Sequence, residues 1–172
     1  MVASYLISIA ALSFTILSFY WLYFRKGKLV VSRPRTFAAL GGNSKDRVVV
    51  YLPLILYNSG AAHLVVENLE LSFLEDPAHP LAFVATVDKL GTSEGRKYAT
   101  PFAIAGRRAC GLICEFQRPN PLAFEPKGYP LRLTFRLSGE DLWHDGLDFE
   151  LYLNHDKVTI VNGNSLRVLD NG

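Results

Sequence analysis

The amino-acid sequence predicts an all-β fold, an antiparallel β-sandwich of seven to nine strands preceded by one transmembrane α-helix. Three observations carry this. Residues 1–24 contain no Asp, Glu, Lys, Arg or His, which no solvated segment of that length needs to avoid. Beyond them, several runs alternate apolar and polar side chains with the period of two that marks half-buried strands. Turn-forming Gly, Pro, Asn and Asp fall between these runs, and no stretch past residue 25 sustains an apolar stripe of period 3.6 over three turns. With 172 residues, 49% of them hydrophobic, and 2 cysteines, the chain is neither a disordered tail nor a miniprotein built on disulfides.

The helix is expected within residues 1–24. From Ala3 to Phe24 only Ser4, Ser8, Ser13, Thr15 and Ser18 interrupt the apolar run, and at about 1.5 Å per residue it reaches roughly 33 Å, enough for a bilayer core. Tyr20, Trp21 and Tyr23 crowd its C-terminal end, where amphipathic rings favour the headgroup boundary. A cleaved signal peptide would show a basic start, a shorter apolar run and a small-residue cleavage site, none of which is present. Residues 25–35 form a basic juxtamembrane linker holding Arg25, Lys26, Lys28, Arg33 and Arg35 without an acidic residue. This flank predicts a single-pass protein with its soluble domain in the cytoplasm. A periplasmic or extracellular placement is the alternative, since a folded domain can be translocated behind an uncleaved anchor.

Charge divides along the same boundary. The net charge is +2; removing the five bases of the flank leaves 13 basic against 16 acidic residues over 36–172, a net of −3. A domain of that charge offers no broad positive field to a polyanion, so nucleic acid is not an expected partner. Partners are instead the lipid bilayer, through the helix, and a protein.

Residues 36–172 are assigned to the sandwich, with strand character already beginning at Leu29. The stretch Leu29–Leu40 starts as a strand that Pro34 must break. Val48–Tyr57 is apolar throughout, as in a strand covered on both faces, yet Pro53 calls for a bare edge or a bulge. Val65, Leu69, Leu71 and Phe73 form a stripe, and Asp76-Pro77 reads as a turn. Residues 81–88 and 98–106 read as weaker strands. Cys110, Leu112, Cys114 and Phe116 face one way; on one strand the two cysteines would lie roughly 13 Å apart, too far for a disulfide.

Leu131, Leu133, Phe135 and Leu137 alternate with Arg132 and Arg136, and Leu147, Phe149, Leu151 and Leu153 alternate with Asp148 and Glu150. These complementary faces predict a hairpin through residues 138–146. Two short strands, Val158–Val161 and Leu166–Leu169, are expected around an Asn162-Gly163 turn. Uneven strand and loop lengths favour an immunoglobulin-like sandwich over a closed barrel.

Within this pattern the run from Tyr51 to Phe73, with Asn58-Ser59-Gly60 between two apolar segments, resembles the strand, Asn-x-Gly turn, strand unit of bacterial immunoglobulin-like sandwich domains, including the adhesion-related CARDB domains. The resemblance spans about 25 residues. It implies that Asn58 and Gly60 close a turn and that the domain binds or spaces, with no catalytic residue to carry over. Relatives of that kind are mostly extracytoplasmic, opposite to the placement the basic flank predicts.

Catalytic signatures are missing from the sequence: there is no glycine-rich phosphate loop and no Gly-x-Ser-x-Gly elbow. The candidate metal ligands are His144, Asp145, His155 and Asp156, two His-Asp pairs that would make a zinc-type set if they converged. Their spacing places the pairs at opposite ends of one strand. The expectation is a non-catalytic, membrane-anchored interaction or accessory module without a cofactor. A membrane-tethered metal-dependent hydrolase and a sandwich binding lipid or another envelope component are the alternatives.

Overall fold

The computed structural model describes residues 2–42, 46–163 and 165–172. It opens with α1 (Val2–Tyr23), 22 residues long. Two hydroxyls inside this helix bond back to its own carbonyls: Ser8 Oγ donates to the Ser4 carbonyl at 2.9 Å and Thr15 Oγ1 to the Ala11 carbonyl at 2.8 Å. Large apolar side chains along its length, Leu6, Phe14 and Leu17 among them, stand exposed, because the rest of the chain covers none of the apolar window. By length and composition, α1 can cross a membrane.

The sheet consists of β1 (Leu29–Val31), β2 (Thr36–Leu40), β3 (Val48–Asn58), β4 (Leu64–Phe73), β5 (Asp76–Val87), β6 (Lys97–Tyr98), β7 (Phe102–Ile104), β8 (Ala109–Arg118), β9 (Gly128–Leu137), β10 (Trp143–Tyr152) and β11 (Leu169–Asp170), with α2 (His155–Asn162) before the last. The seven of five residues or more fall within the expected count, and the four others are short segments added along the edges. Pairing is antiparallel throughout, in the order β10-β9-β4-β5-β8-β3-β2-β11. β5 makes this a two-layer structure. Its first half pairs with β4, at Leu81↔Leu71, and its second half with β8, at Val87↔Ile113. One strand thus belongs to both layers.

Between the layers lies a continuous core. Leu52, Leu54 and Leu56 of β3 and Phe116 of β8 meet Leu69 and Leu71 of β4 and Leu131 and Leu133 of β9, all fully buried. Each such side chain contributes about 1.5–3 kcal/mol on burial. A smaller cluster of Ala38, Val49, Tyr51 and Val87 covers the outer face of the β3 layer, joined by Leu90 and Leu166. That second cluster explains why β3 is apolar on both faces at its start. Asn171, itself buried, closes the open side: its amide donates to the Glu150 carbonyl of β10 at 2.9 Å, and its backbone N–H to the Arg35 carbonyl at 2.7 Å.

Pro53 sits where its missing N–H costs nothing. β2 pairs with residues 49–51 of β3 and β1 with residues 56–58, so the edge between them carries no strand. The Ile55 carbonyl points to that edge, where it accepts the Ser32 N–H at 2.9 Å. Alternate residues of an antiparallel strand direct their backbone groups to the same side, so Pro53 faces the same gap. Its partner across the other ladder, Ile113, is undisturbed.

The predicted hairpin forms as β9 and β10, with Arg132 clasping Asp148 through two bonds of 2.8 Å. Arg136 instead pairs with Glu67 on β4 at 2.8 Å. Four expectations need correction. A register shift between Val66 and Asn68 changes phase within β4, so Val66 and not Val65 enters the core. The turn falls at Leu74-Glu75, and Asp76-Pro77 begins β5. The weak strand of 98–106 splits, with Tyr98 ending β6 and residues 102–104 forming β7.

The fourth concerns residues 158–161, which form α2 and not a strand. Asn154 caps this helix by accepting the Lys157 N–H at 2.9 Å. Asn162 does not turn the chain; its side chain exchanges two bonds with the backbone of Phe124, at 2.9 and 2.8 Å, docking the helix on the β8–β9 connection. Residues 165–168 pass as irregular chain into β11.

Tyr129, buried at the start of β9, accepts the Glu125 N–H on its hydroxyl at 2.7 Å. Its ring packs edge-on against Phe73 and Phe124. Tyr129→Phe keeps the ring and strands that N–H, so urea unfolding of the full chain in detergent should show a loss of about 1 kcal/mol.

Candidate functional site

The chain is fastened as soon as it leaves α1. The Arg25 carbonyl accepts the N–H groups of Ala61 and Ala62 at 2.9 and 3.4 Å. The Lys28 N–H donates to Ser59 Oγ at 2.9 Å, and the Lys28 carbonyl accepts the Ser59 hydroxyl at 3.0 Å and the Ser59 N–H at 3.1 Å. Between these bonds the backbones of Gly27 and Gly60 touch, so that a Cβ on either would fall inside the other's main chain. Only glycine at both positions permits this approach.

Asn58 builds the receiving turn. Fully buried, it accepts the Gly60 N–H on Oδ1 at 2.9 Å and donates from Nδ2 to the carbonyls of Ala62 at 2.8 Å and Ile104 at 3.1 Å. Every hydrogen-bonding direction of the amide is used except one lone pair. Asparagine supplies both the local acceptor of an Asx turn and donors for two carbonyls, which neither Asp nor Ser can do.

The loop 105–108 completes the junction. Arg107 donates its N–H to the Gly60 carbonyl at 2.8 Å, and the Arg108 carbonyl accepts the Asn58 N–H at 3.0 Å. Arg107 is the one non-glycine residue at positive φ, 55°, among the described residues, a conformation that costs an L-residue roughly 1–2 kcal/mol. That backbone sends its guanidinium to the end of α1, where Nη2 donates to the Trp21 carbonyl at 3.4 Å. The Arg25 guanidinium lies 4.1 Å from the centre of the Trp21 ring.

The five basic residues picked out by sequence therefore separate. Arg25, Lys26 and Lys28 are exposed at the helix end. Arg33 and Arg35 lie past β1, lining a groove with Pro53, Ile55 and Lys97, and the stretch expected as a linker enters the sheet through β1. Arg107 takes up a position beside the helix that sequence proximity does not reveal, and Arg108 follows it in the same loop. Their signal in the sequence, an Arg-Arg pair after Gly106, was indistinguishable from a solvated loop.

The two His-Asp pairs stay apart. His144 and Asp145 lie at the start of β10, and His155 and Asp156 in the first turn of α2 beyond its other end, roughly 30 Å away at strand rise. His144 Nε2 is instead 2.6 Å from Glu140 Oε2, with its ring stacked on Phe135. Asp145 lies 3.8 Å from Arg132. No three His, Cys, Asp or Glu side chains converge among the described residues. Cys110 and Cys114 are free, and burial pushes the Cys114 thiol up to about 12, which keeps it protonated and weakly nucleophilic at neutral pH.

Two ion pairs with a buried member lie elsewhere. Glu115, on the outer face of β8, is held by Arg96 at 2.8 and 3.3 Å and also by Gln117, which latches the loop 88–96 over the second apolar cluster. Burial, followed by the nearby Glu115, raises the Tyr51 hydroxyl above its ordinary range. At the far end of the sandwich, buried Arg118 donates to Asp76 at 2.7 Å and to the His79 carbonyl at 2.9 Å. The hydrogen bond from His79, with Arg118 as a smaller cause, holds the Asp76 carboxyl below its usual range. Both buried charges are thus paired, with Arg118 Nε the one guanidinium nitrogen of that pair buried without a hydrogen-bond partner.

No family model and no curated protein matches the chain. Among solved structures it is similar to an uncharacterized β-sandwich protein from Clostridium difficile 630, at 12% identity and a TM-score of 0.37, over 75% of this chain and 86% of that one.

Gly60→Ala drives a methyl group into the Gly27 backbone and should cost about 1–3 kcal/mol. Hydrogen exchange on the full chain in detergent should show lost protection at Ser59, Ala61 and Ala62 while β9 and β10 keep theirs.

Proposed function

We propose that the chain is a single-pass membrane-anchored, non-catalytic interaction or accessory module, with an immunoglobulin-like sandwich mounted on its anchor. The observation that carries this is the junction. A helix able to span a bilayer passes without a free linker into a buried asparagine turn and a glycine-glycine contact, a construction that serves to hold a domain at a set height and orientation above a surface.

The immunoglobulin-like assignment is supported by strand order. Treating β1 and β2 as one broken edge strand, the layers read edge-β3-β8-β5 and β5-β4-β9-β10, which is the ABED and CFG arrangement with a strand shared between sheets. Tyr129 supports it independently. A tyrosine near the start of the penultimate long strand bonding the backbone four residues upstream is the tyrosine corner of that fold. The Asn58-x-Gly60 turn, closed by the Gly60 N–H on Asn58 Oδ1 at 2.9 Å, is the feature on which the resemblance to CARDB-like domains rests.

No three His, Cys, Asp or Glu side chains converge among the described residues, so no observation favours the hydrolase alternative. Arg25, Lys26 and Lys28 at the helix end favour a cytoplasmic domain. A reporter fused after Gly172 should be active only in its cytoplasm-dependent form, and cross-linking in native membranes should trap one stoichiometric protein partner. An export-dependent reporter signal would reverse the orientation, and a chain recovered only as a free monomer would remove the interaction role.

A further inference from the structure

We propose that the helix end and the loop 105–108 together form a binding site for the phosphate of an anionic phospholipid headgroup, with Arg107 as its central cation. The inference rests on α1 spanning the bilayer. Given that, depth is fixed by the aromatic residues: Tyr20, Trp21 and Tyr23 belong at the headgroup boundary. The Arg107 guanidinium reaches the Trp21 carbonyl, so it lies in the same plane although 86 residues of sequence separate the two.

Three features make this a built position. Arg107 is held at positive φ by its own N–H on the Gly60 carbonyl, where glycine would sit without strain. The bond to Trp21 uses one of the five N–H donors of the guanidinium, and the side chain is otherwise exposed, leaving donors in the fork geometry that suits a phosphate. Finally, Arg25, Lys26, Lys28 and Arg108 are exposed on the same junction, and the segments 25–28, 58–62 and 105–108 that build it contain no acidic residue. Cations in this plane act on anionic headgroups within a Debye length, and a headgroup bridging Arg107 and Arg25 would tie the sandwich to the leaflet by a second point.

The full chain, reconstituted in nanodiscs of equal parts phosphatidylcholine and phosphatidylglycerol, is released and its retained lipids counted by native mass spectrometry. Wild type should hold phosphatidylglycerol in excess, Arg107→Gly should lower that excess about fivefold, and Lys127→Gln, at the far end of the sandwich, should leave it unchanged. Arg107→Gly also relaxes the strained backbone, so it should melt no lower than wild type and cannot lose lipid by failing to fold. Arg107→Lys should restore part of the excess. Equal phosphatidylglycerol retention by wild type and by the Arg107→Gly, Arg108→Gln double variant would overturn the site. Retention of added inorganic phosphate in phosphatidylcholine discs, without any lipid preference, would overturn its assignment to a lipid. A chain that enters no nanodisc at all would instead refute α1 as a span, and this inference with it.

Discussion

Contact between two glycine backbones, Gly27 and Gly60, is the constraint on which the placement of the sandwich depends. It lets the segment leaving α1 lie directly on the β3–β4 turn, close enough for the carbonyls of Arg25 and Lys28 to take three N–H groups from that turn. Any side chain at either position would separate the two strands of chain by the width of a methyl group and lengthen each of these bonds. Asn58 stabilises the other side of the turn with a fully buried amide, and the strained Arg107 completes it. The fold therefore concentrates its unusual backbone geometry at one end, next to the helix.

The rest of the sandwich is ordinary in its physics. β5 crosses between layers, so the two sheets share a strand and a single core, and Asn171 fastens the opposite side. Where the chain departs from regular pairing, the departures have local causes: Pro53 faces a bare edge, and the Val66 to Asn68 bulge resets the phase of β4. Among the described residues buried charge is confined to Glu115 and Arg118, each with a partner of opposite sign. No three His, Cys, Asp or Glu side chains converge among the described residues.

Sequence pattern revealed the layers but not the junction. Alternation in Leu131–Leu137 and Leu147–Leu153 was enough to define the β9–β10 hairpin, because a period of two with one dry face has few other solutions. It failed at Val158–Val161, where four residues cannot distinguish a strand from one helical turn and the decision lay with Asn154 as a cap and Phe124 as a dock. It failed also to see that Asp76 opens a strand, since that depends on Arg118, far away in the chain. Arg25, Lys26 and Lys28 were legible as a flank because charge beside an apolar run is a local property. Arg107 was not, because its significance comes entirely from a contact with Trp21 that the sheet creates.

If the junction holds the sandwich rigidly on α1, the distance between them must be single-valued. Spin labels at Leu22 in the last turn of the helix and at Tyr152 on the exposed end of β10, both outward-facing, report it by pulsed electron resonance on the full chain in nanodiscs. One narrow distance distribution is the predicted result. A broad distribution, as from a domain swinging on a flexible tether, would contradict the account.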